Sequence, residues 1–467
     1  MGVRMKPAKQ LWIKSGIVFA ALGMSLFATR PAEAVPSFAR QTGMACEACH
    51  TVFPELTPFG RLFKLNGYTI SNIQEITATT PHQNPKLMLS SVPPISAMVQ
   101  FSDSHLSKPA PDSKVAGANS QNDTFQFPRQ FSFFYAGAIA PKLGTFMQIT
   151  YDDKGGTFSM DNTDVRFANQ GMIGGRNFIY GVTLNNNPTV QDPWNSTPAF
   201  GFPYTHSNIG PGGWGPGTQV GDALGQASVG LGPYIYVPDA IAGGSLYAEV
   251  DGYRSAQIGA KSYPLDSQDS SVISGVAPYW RLAWEKDWGR NSLEIGTFGM
   301  APHEYNVNGN LPLRGATDDF TDVAGDAQYQ YIGTDNIFSV AADGIHESQD
   351  WHQSYANGET SNPTDSLDTV KVTGSWYYQR QYGANVSYFN TWGSADPLLY
   401  GSSSYSAGKP NTNGVILQAT YMPWENTQLT AQYVIYNEYH GASSNYDSAG
   451  RNASNNDTLY LQLWVAF

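Results

Sequence analysis

The chain ends on a stretch in which apolar and polar residues alternate, Thr458-Leu459-Tyr460-Leu461-Gln462-Leu463-Trp464-Val465-Ala466-Phe467. Every second residue from Leu459 to Phe467 is large and apolar. A period of two predicts a β-strand with one apolar and one polar face. Residues 370–378 and 415–435 alternate in the same way. A soluble sandwich or a secreted solenoid would also alternate, so alternation alone leaves these folds open beside a membrane barrel.

The lengths of the connectors between these segments separate the alternatives. Short connectors fall near residues 141–144, 172–175, 238–243, 287–291, 333–335, 381–383 and 423–426. Longer ones intervene at 102–127, 186–225, 254–276, 347–365, 392–413 and 438–457. Short turns at one rim and long loops at the other are typical of outer-membrane barrels. We therefore expect a mainly β protein, an antiparallel outer-membrane β-barrel of about 16 strands over residues 91–467. An even strand count places both ends of the barrel in the periplasm.

Composition excludes several other classes of protein. Only 14% of the 467 residues are charged, with 26 Lys and Arg against 38 Asp and Glu. An acidic chain is a poor partner for nucleic acid, because phosphate binding requires a basic face. The mean hydropathy of −0.33 excludes a polytopic helical membrane protein. The expected membrane partner is instead the lipid around a barrel.

The first 34 residues have the pattern of a secretory signal peptide. A positively charged start is followed by an apolar stretch, residues 16–28, and by Ala32-Glu33-Ala34, the small-x-small pattern that signal peptidase cleaves. The apolar stretch is too short to span a bilayer. We expect export and cleavage before Val35.

Cys46-Glu47-Ala48-Cys49-His50 matches the attachment motif of c-type haem. The spacing lets two thiols add to the two haem vinyl groups, and His50 then binds the iron as proximal ligand. A zinc site would need further ligands at suitable spacing, and a redox-active C-x-x-C would favour a βαβ context. Neither pattern is present, so the sequence predicts one covalent haem c.

A short helix is predicted directly after the motif. Thr57 can cap it, Pro58 suits its first position, and Asn66-Gly67 ends it. Phe59 and Phe63 would pack on one face against the haem, while Arg61 and Lys64 would meet the propionates. Solvated charges are the alternative for both basic residues.

Residues 35–90 thus form a small α-helical cytochrome domain. A core this small needs support, so we expect it to plug the barrel. The long segment 186–225 either folds into the lumen or is displayed at the surface.

The distal iron ligand is less well defined. Met98 is the first candidate, because strand parity points it into the lumen. Met88, His82 and His105 are alternatives, and Met44 lies too close to Cys46 to reach the opposite haem face.

Residues 38–43, 46–50 and 54–68, with 96–100, 135–137 and 161–164 in the early barrel, together resemble the fused monohaem cytochrome c–porins of bacterial iron oxidisers. The resemblance implies an outer-membrane oxidoreductase that takes electrons from extracellular Fe(II) and passes them to a periplasmic cytochrome or copper protein. Acidic loops would raise the local concentration of cations. Two alternatives remain: a porin with a structural or redox-gated haem plug, and an electron conduit for another extracellular donor or acceptor.

Overall fold

Sixteen long strands dominate the computed structural model, which describes residues 35–73, 75–77, 88–110, 121–152, 156–210, 214–256, 272–305, 315–401 and 405–467. The predicted signal peptide lies outside the described residues. The long strands are β3 Ile95–Leu106, β4 Asp123–Ala140, β5 Leu143–Asp152, β6 Thr157–Ile173, β7 Arg176–Asn185, β8 Ser228–Ile241, β9 Gly244–Ser255, β11 Ala277–Trp288, β12 Asn291–Met300, β14 Asp318–Ile332, β15 Asn336–Asp350, β16 Thr364–Tyr378, β17 Tyr382–Gly393, β18 Thr412–Trp424, β19 Thr427–Glu438 and β20 Thr458–Ala466. Four short strands accompany them, β1 Glu75–Thr77, β2 Met88–Ser90, β10 Val272–Ile273 and β13 His303–Tyr305.

The long strands close into a ring. Each long strand pairs antiparallel with the long strands before and after it. The short strands β10 and β13 pair with each other, and β13 also pairs with β14. The last strand returns to the first, with Trp464 of β20 opposite Gln100 of β3. On the far side β9 pairs with β11 across Leu246 and Trp284. The predicted antiparallel barrel of about 16 strands is therefore confirmed.

The apolar faces of the strands point outward. Ile95, Leu282 and Val340 are about half exposed on the outer surface, whereas the polar Ser132 and Gln432 are fully buried inside. This arrangement is the reverse of a soluble protein, in which the apolar side packs inward. A closed ring with no unpaired edge satisfies the backbone hydrogen bonds that lipid cannot. The fold is that of an outer-membrane β-barrel of the porin type.

Turns and loops separate to opposite rims as expected. Seven connectors of two or three residues join the strands at one rim, for example residues 141–142 and 425–426. Both ends of the barrel lie at this turn rim, where Ala97 and Phe467 exchange two backbone hydrogen bonds of 2.8 Å. The strands extend further towards the loop rim than the alternation suggested, since β3 continues to Leu106. Several loops are therefore shorter than we expected, although the connector between β7 and β8 is slightly longer.

Three short helices lie in the N-terminal segment: α1 Pro36–Thr42, α2 Cys46–Cys49 and α3 Pro58–Leu65. The helix predicted after the cysteine motif is confirmed as α3, and the hydroxyl of Thr57 accepts a hydrogen bond of 3.1 Å from the Gly60 amide. A short helix α4, His352–Ala356, lies in a loop. None of the helices in the described part of the chain is long and apolar enough to cross a membrane.

Candidate functional site

The cysteine motif lies on the wall of a large cavity inside the barrel. The cavity has a volume of about 810 Å³, within the range of pockets that hold cofactors. Cys46, Cys49 and His50 line it together with aromatic side chains, including Phe63 and Phe134. The N-terminal segment thus contributes its chemically reactive groups to the wall of a cavity within the lumen.

Local hydrogen bonds fix the orientation of His50. Its Nδ1 lies 3.2 Å from the backbone oxygen of Glu55. A carbonyl only accepts, so Nδ1 carries the proton and Nε2 keeps its lone pair. Burial lowers the pKa of His50 to about 4, which keeps the imidazole neutral. A neutral imidazole with one nitrogen hydrogen-bonded to a carbonyl is the usual form of an iron ligand.

Both cysteine side chains are half-buried. Burial raises the pKa of the Cys49 thiol to about 11. Among the described residues no group of three or more His, Cys, Asp or Glu side chains could hold a metal ion. The donor set of two thiols and one oriented imidazole on a cavity of this size fits a covalent haem c.

Close packing holds the motif against α3. A Cβ at Gly60 would lie 2.2 Å from the backbone oxygen of Cys49, so only glycine allows this approach. The Thr57 hydroxyl also donates to the Ala48 carbonyl, at 2.6 Å. The cysteine motif therefore packs directly against the first turn of α3.

The aromatic residues expected at the haem occupy different positions. Phe63 is buried on the cavity wall and packs edge-on against Phe38, with ring centroids 5.0 Å apart. Phe59 is partly buried and is not among the described residues that line the cavity. Phe63 therefore remains a predicted haem contact, while the structure gives Phe59 no place on the cavity wall.

Arg61 turns away from the cavity towards the barrel wall. It is 2% exposed, and its Nε lies 3.1 Å from Glu285. Its other nitrogens donate to Ser292 at 2.7 Å and to Gln328 at 3.5 Å. Neither the expected propionate contact nor the solvated alternative describes this position. The sequence could not reveal it, because the partners are more than 200 residues away.

The segment between β7 and β8 folds into the lumen over its described residues, 186–210 and 214–227. The side chain of Lys64 donates to the backbone oxygens of Val190 and Asp192, at 2.8 and 2.7 Å. Asp192 in turn forms a fully buried ion pair with Arg281 of β11, at 3.1 Å. Of the two alternatives left by the sequence, the inward one is observed. This inward segment links α3 to the barrel wall.

The candidates for distal ligand are now separated by position. Met98 is buried on the cavity wall, and its sulfur accepts a hydrogen bond of 3.7 Å from Gln100. Met44 also reaches the cavity but is 40% exposed. His105 pairs with Asp123 at 2.6 Å near the loop rim. His82 and the side chain of Met88 lie outside the described residues. Met98 remains the predicted ligand.

The inward segment also brings His206 and Trp214 to the cavity wall, which the sequence analysis missed. Their rings lie 6.0 Å apart, and Trp214 packs against Phe389 of β17. No local pattern marks His206, because nothing in a Pro- and Gly-rich stretch tells which residue will reach the cavity wall. The sequence offered one indication of such a residue: if the long segment folds into the lumen, some of its side chains reach the cavity.

No family model and no curated protein sequence matches the chain. The similar solved structures include OmpF of Salmonella typhi in complex with daunomycin, 12% identical, covering 80% of this chain and 97% of that one, with a TM-score of 0.45. OmpT of Vibrio cholerae is 12% identical and covers 80% of this chain and 98% of that one, with a TM-score of 0.42. An anion-selective porin from Comamonas acidovorans is 12% identical, with coverages of 80% and 98% and a TM-score of 0.43. With sequence identities of 12% and TM-scores below 0.5, these similarities say nothing about function. The assignment of the fold as a barrel rests on the strand pairing described above.

Proposed function

We propose that this protein is an outer-membrane c-type cytochrome that carries electrons through its own barrel. The observation that carries the proposal is the geometry of Cys46, Cys49 and His50: two half-buried thiols and one oriented imidazole on the wall of the 810 Å³ cavity. Bound there, a haem c supplies a one-electron donor and acceptor. Cys46 and Cys49 would hold it by thioethers, with His50 as the proximal ligand and Met98 as the distal one.

The chain's own residues restrict where electrons enter and leave. The Cys46 amide donates to Glu425 at 3.4 Å, and Glu47 lies 3.6 Å from Arg380. Glu425 and Arg380 belong to short turns, so the motif lies near the turn rim. In outer-membrane barrels short turns face the periplasm. A periplasmic cytochrome or copper protein would therefore accept electrons at this rim, and both ends of the barrel would lie in the same compartment.

The proposed donor is extracellular Fe(II). The resemblance to iron-oxidising cytochrome–porins carries this assignment, and the charge of the chain supports it. Removal of residues 1–34 leaves 21 basic and 37 acidic residues, a net charge of −16, which attracts cations to the surface. The activity would be that of an iron-oxidising oxidoreductase acting on the carrier.

Stopped-flow spectroscopy of outer-membrane vesicles tests this function. The protein is expressed in a host that matures c-type cytochromes, and Fe(II) is added outside while the haem α-band is followed. Rapid reduction that is absent in Cys49→Ala is the expected result. If dithionite reduces the haem promptly and Fe(II) does not, iron is not the donor, and a conduit for another donor or acceptor takes its place.

A porin with a haem plug is the second candidate, and the open volume inside the barrel favours it. The cavity is bounded by polar side chains of the wall as well as by the motif, as expected of a water-filled lumen. Planar-bilayer recordings separate the two functions. Solute flux that is large and does not change when the haem is reduced would favour the porin and contradict the electron conduit.

A further inference from the structure

Two consecutive residues of the inward segment, Tyr204 and Thr205, contact the groups that hold the predicted iron ligands. Tyr204 lines the cavity together with His50 and Met98, and its ring packs against the apolar cluster that contains Met98. The proposed function assigns no role to either residue of the pair. Hydrogen bonds from Tyr204 and Thr205 nevertheless lead to both ligands, one on each side.

On the proximal side the connection passes through Glu55. The hydroxyl of Tyr204 donates to one oxygen of the Glu55 side chain at 3.2 Å. The Thr51 hydroxyl donates to the other oxygen at 3.0 Å. The backbone oxygen of Glu55 is the acceptor that lies 3.2 Å from Nδ1 of His50. The hydroxyls that hold the Glu55 side chain therefore also hold the carbonyl that orients the proximal imidazole.

On the distal side three hydrogen bonds connect Thr205 to Met98. The Thr205 hydroxyl donates to the side-chain oxygen of Gln462 at 2.9 Å. The Gln462 amide donates to Gln100 at 2.9 Å, and the Gln100 amide donates to the Met98 sulfur at 3.7 Å. Gln100 and Gln462 are buried, and Gln432 fixes the Thr205 backbone oxygen at 3.1 Å. The orientation of the Met98 side chain thus depends on a chain of bonds that begins in the inward segment.

We propose that Tyr204 and Thr205 are positioning residues for the two axial ligands, and that docking of the inward segment thereby sets the reduction potential of the haem. A hydrogen bond at the second nitrogen of a ligating histidine orients the ring and makes it more basic, which favours ferric iron. A methionine ligand instead raises the reduction potential and favours ferrous iron. The inference rests on the proposed function and adds the regulation of its haem.

Tyr204→Phe and Thr205→Val test the two sides separately, because each removes one hydroxyl and keeps the side-chain shape. Tyr204→Phe should raise the reduction potential. At a fixed ambient potential the ratio of ferric to ferrous haem should fall about twofold to fivefold, the size of one net hydrogen bond, or about 20–40 mV for one electron. Thr205→Val should lower the potential by a similar amount and weaken the charge-transfer band that methionine ligation gives ferric haem.

The matched control is Tyr247→Phe. The Tyr247 hydroxyl also donates to a buried glutamate, Glu249, at 2.9 Å, and Tyr247 is not among the described residues that line the cavity. This variant should keep the wild-type potential and charge-transfer band. Equal haem content shows that a variant is folded; if Tyr204→Phe or Thr205→Val lost its haem, Thr51→Val and Gln100→Leu would test the same two sides.

Shifts of opposite sign are the decisive result, because a general loosening that admits water would move both variants in the same direction. Shifts of the same sign, unchanged potentials in both variants, or an equal shift in Tyr247→Phe would overturn the inference. A wild-type protein without the methionine band would also overturn it, since Met98 would then not be a ligand. Each of these results leaves the proposed function standing. If the wild-type protein takes up no haem, the proposed function itself fails, and the inference fails with it.

Discussion

The ion pair between Arg61 and Glu285 ties the N-terminal segment to the barrel wall, and breaking it should release that segment. Both side chains are almost fully buried, 2% and 5% exposed, with 3.1 Å between Nε and Oε1. Arg61→Met leaves the Glu285 carboxylate buried without its counter-ion, which costs about 3–5 kcal/mol. The equilibrium between the segment docked on the wall and the segment released from it should therefore shift towards release by a factor of about 100 to 3,000.

Release of the segment should unblock the lumen. Single-channel recordings in planar bilayers should therefore show full openings more often in Arg61→Met than in the wild type. The barrel itself should remain folded and heat-modifiable, because none of its strand pairing is altered. The double variant Arg61→Met, Glu285→Gln should open about as rarely as the wild type. With both charges removed, no unpaired charge is buried and the segment can stay docked.

The matched control is Arg380→Met. Arg380 also links the N-terminal segment to the wall, through Glu47, but the pair is exposed and its atoms are 3.6 Å apart. Exposed pairs contribute about 0–1 kcal/mol, so conductance should change less than about fivefold. Equal openings in Arg61→Met and Arg380→Met would refute the conclusion that buried charge holds the segment in place.

Two other substitutions test the support of the cysteine motif and of the inward segment. Gly60→Ala places a methyl group 2.2 Å from the backbone oxygen of Cys49 and should reduce haem incorporation. The ratio of α-band to protein absorbance measures that incorporation. A ratio equal to that of the wild type would contradict the packing argument. Lys64→Met leaves the carbonyls of Val190 and Asp192 without their donor, a cost of about 1–3 kcal/mol each. Limited proteolysis should then cut the inward segment faster than in wild type, whereas an unchanged cleavage rate would show that Lys64 does not hold it.

Much of the fold could be predicted because barrel strands repeat a local pattern. The alternation that ends at Phe467 and the contrast between short and long connectors predicted the barrel and its strand count, and the parity of the first strand predicted that Met98 points inward. The cap at Thr57 and the end at Asn66 defined α3. All of these depend on residues close together in the chain, where spacing alone sets geometry.

The candidate site was predictable only in part, because contacts between residues far apart in the sequence determine the positions of its other side chains. The Cys46–His50 motif is local and was visible at once. The partner of Arg61 lies on β11, and the partner of Lys64 lies in the inward segment, so a charge expected at a propionate proved to be a structural contact. His206 reaches the cavity only because that segment folds inward, which the sequence left open.

The mass of the intact mature protein tests the central claim most directly. After expression with a c-type cytochrome maturation system, the account predicts the chain beginning at Val35 plus the mass of one haem. The added mass should withstand denaturation and disappear when Cys46 and Cys49 are both replaced by alanine. A chain of unmodified mass from a host that matures other c-type cytochromes would contradict the haem assignment and leave a plugged porin.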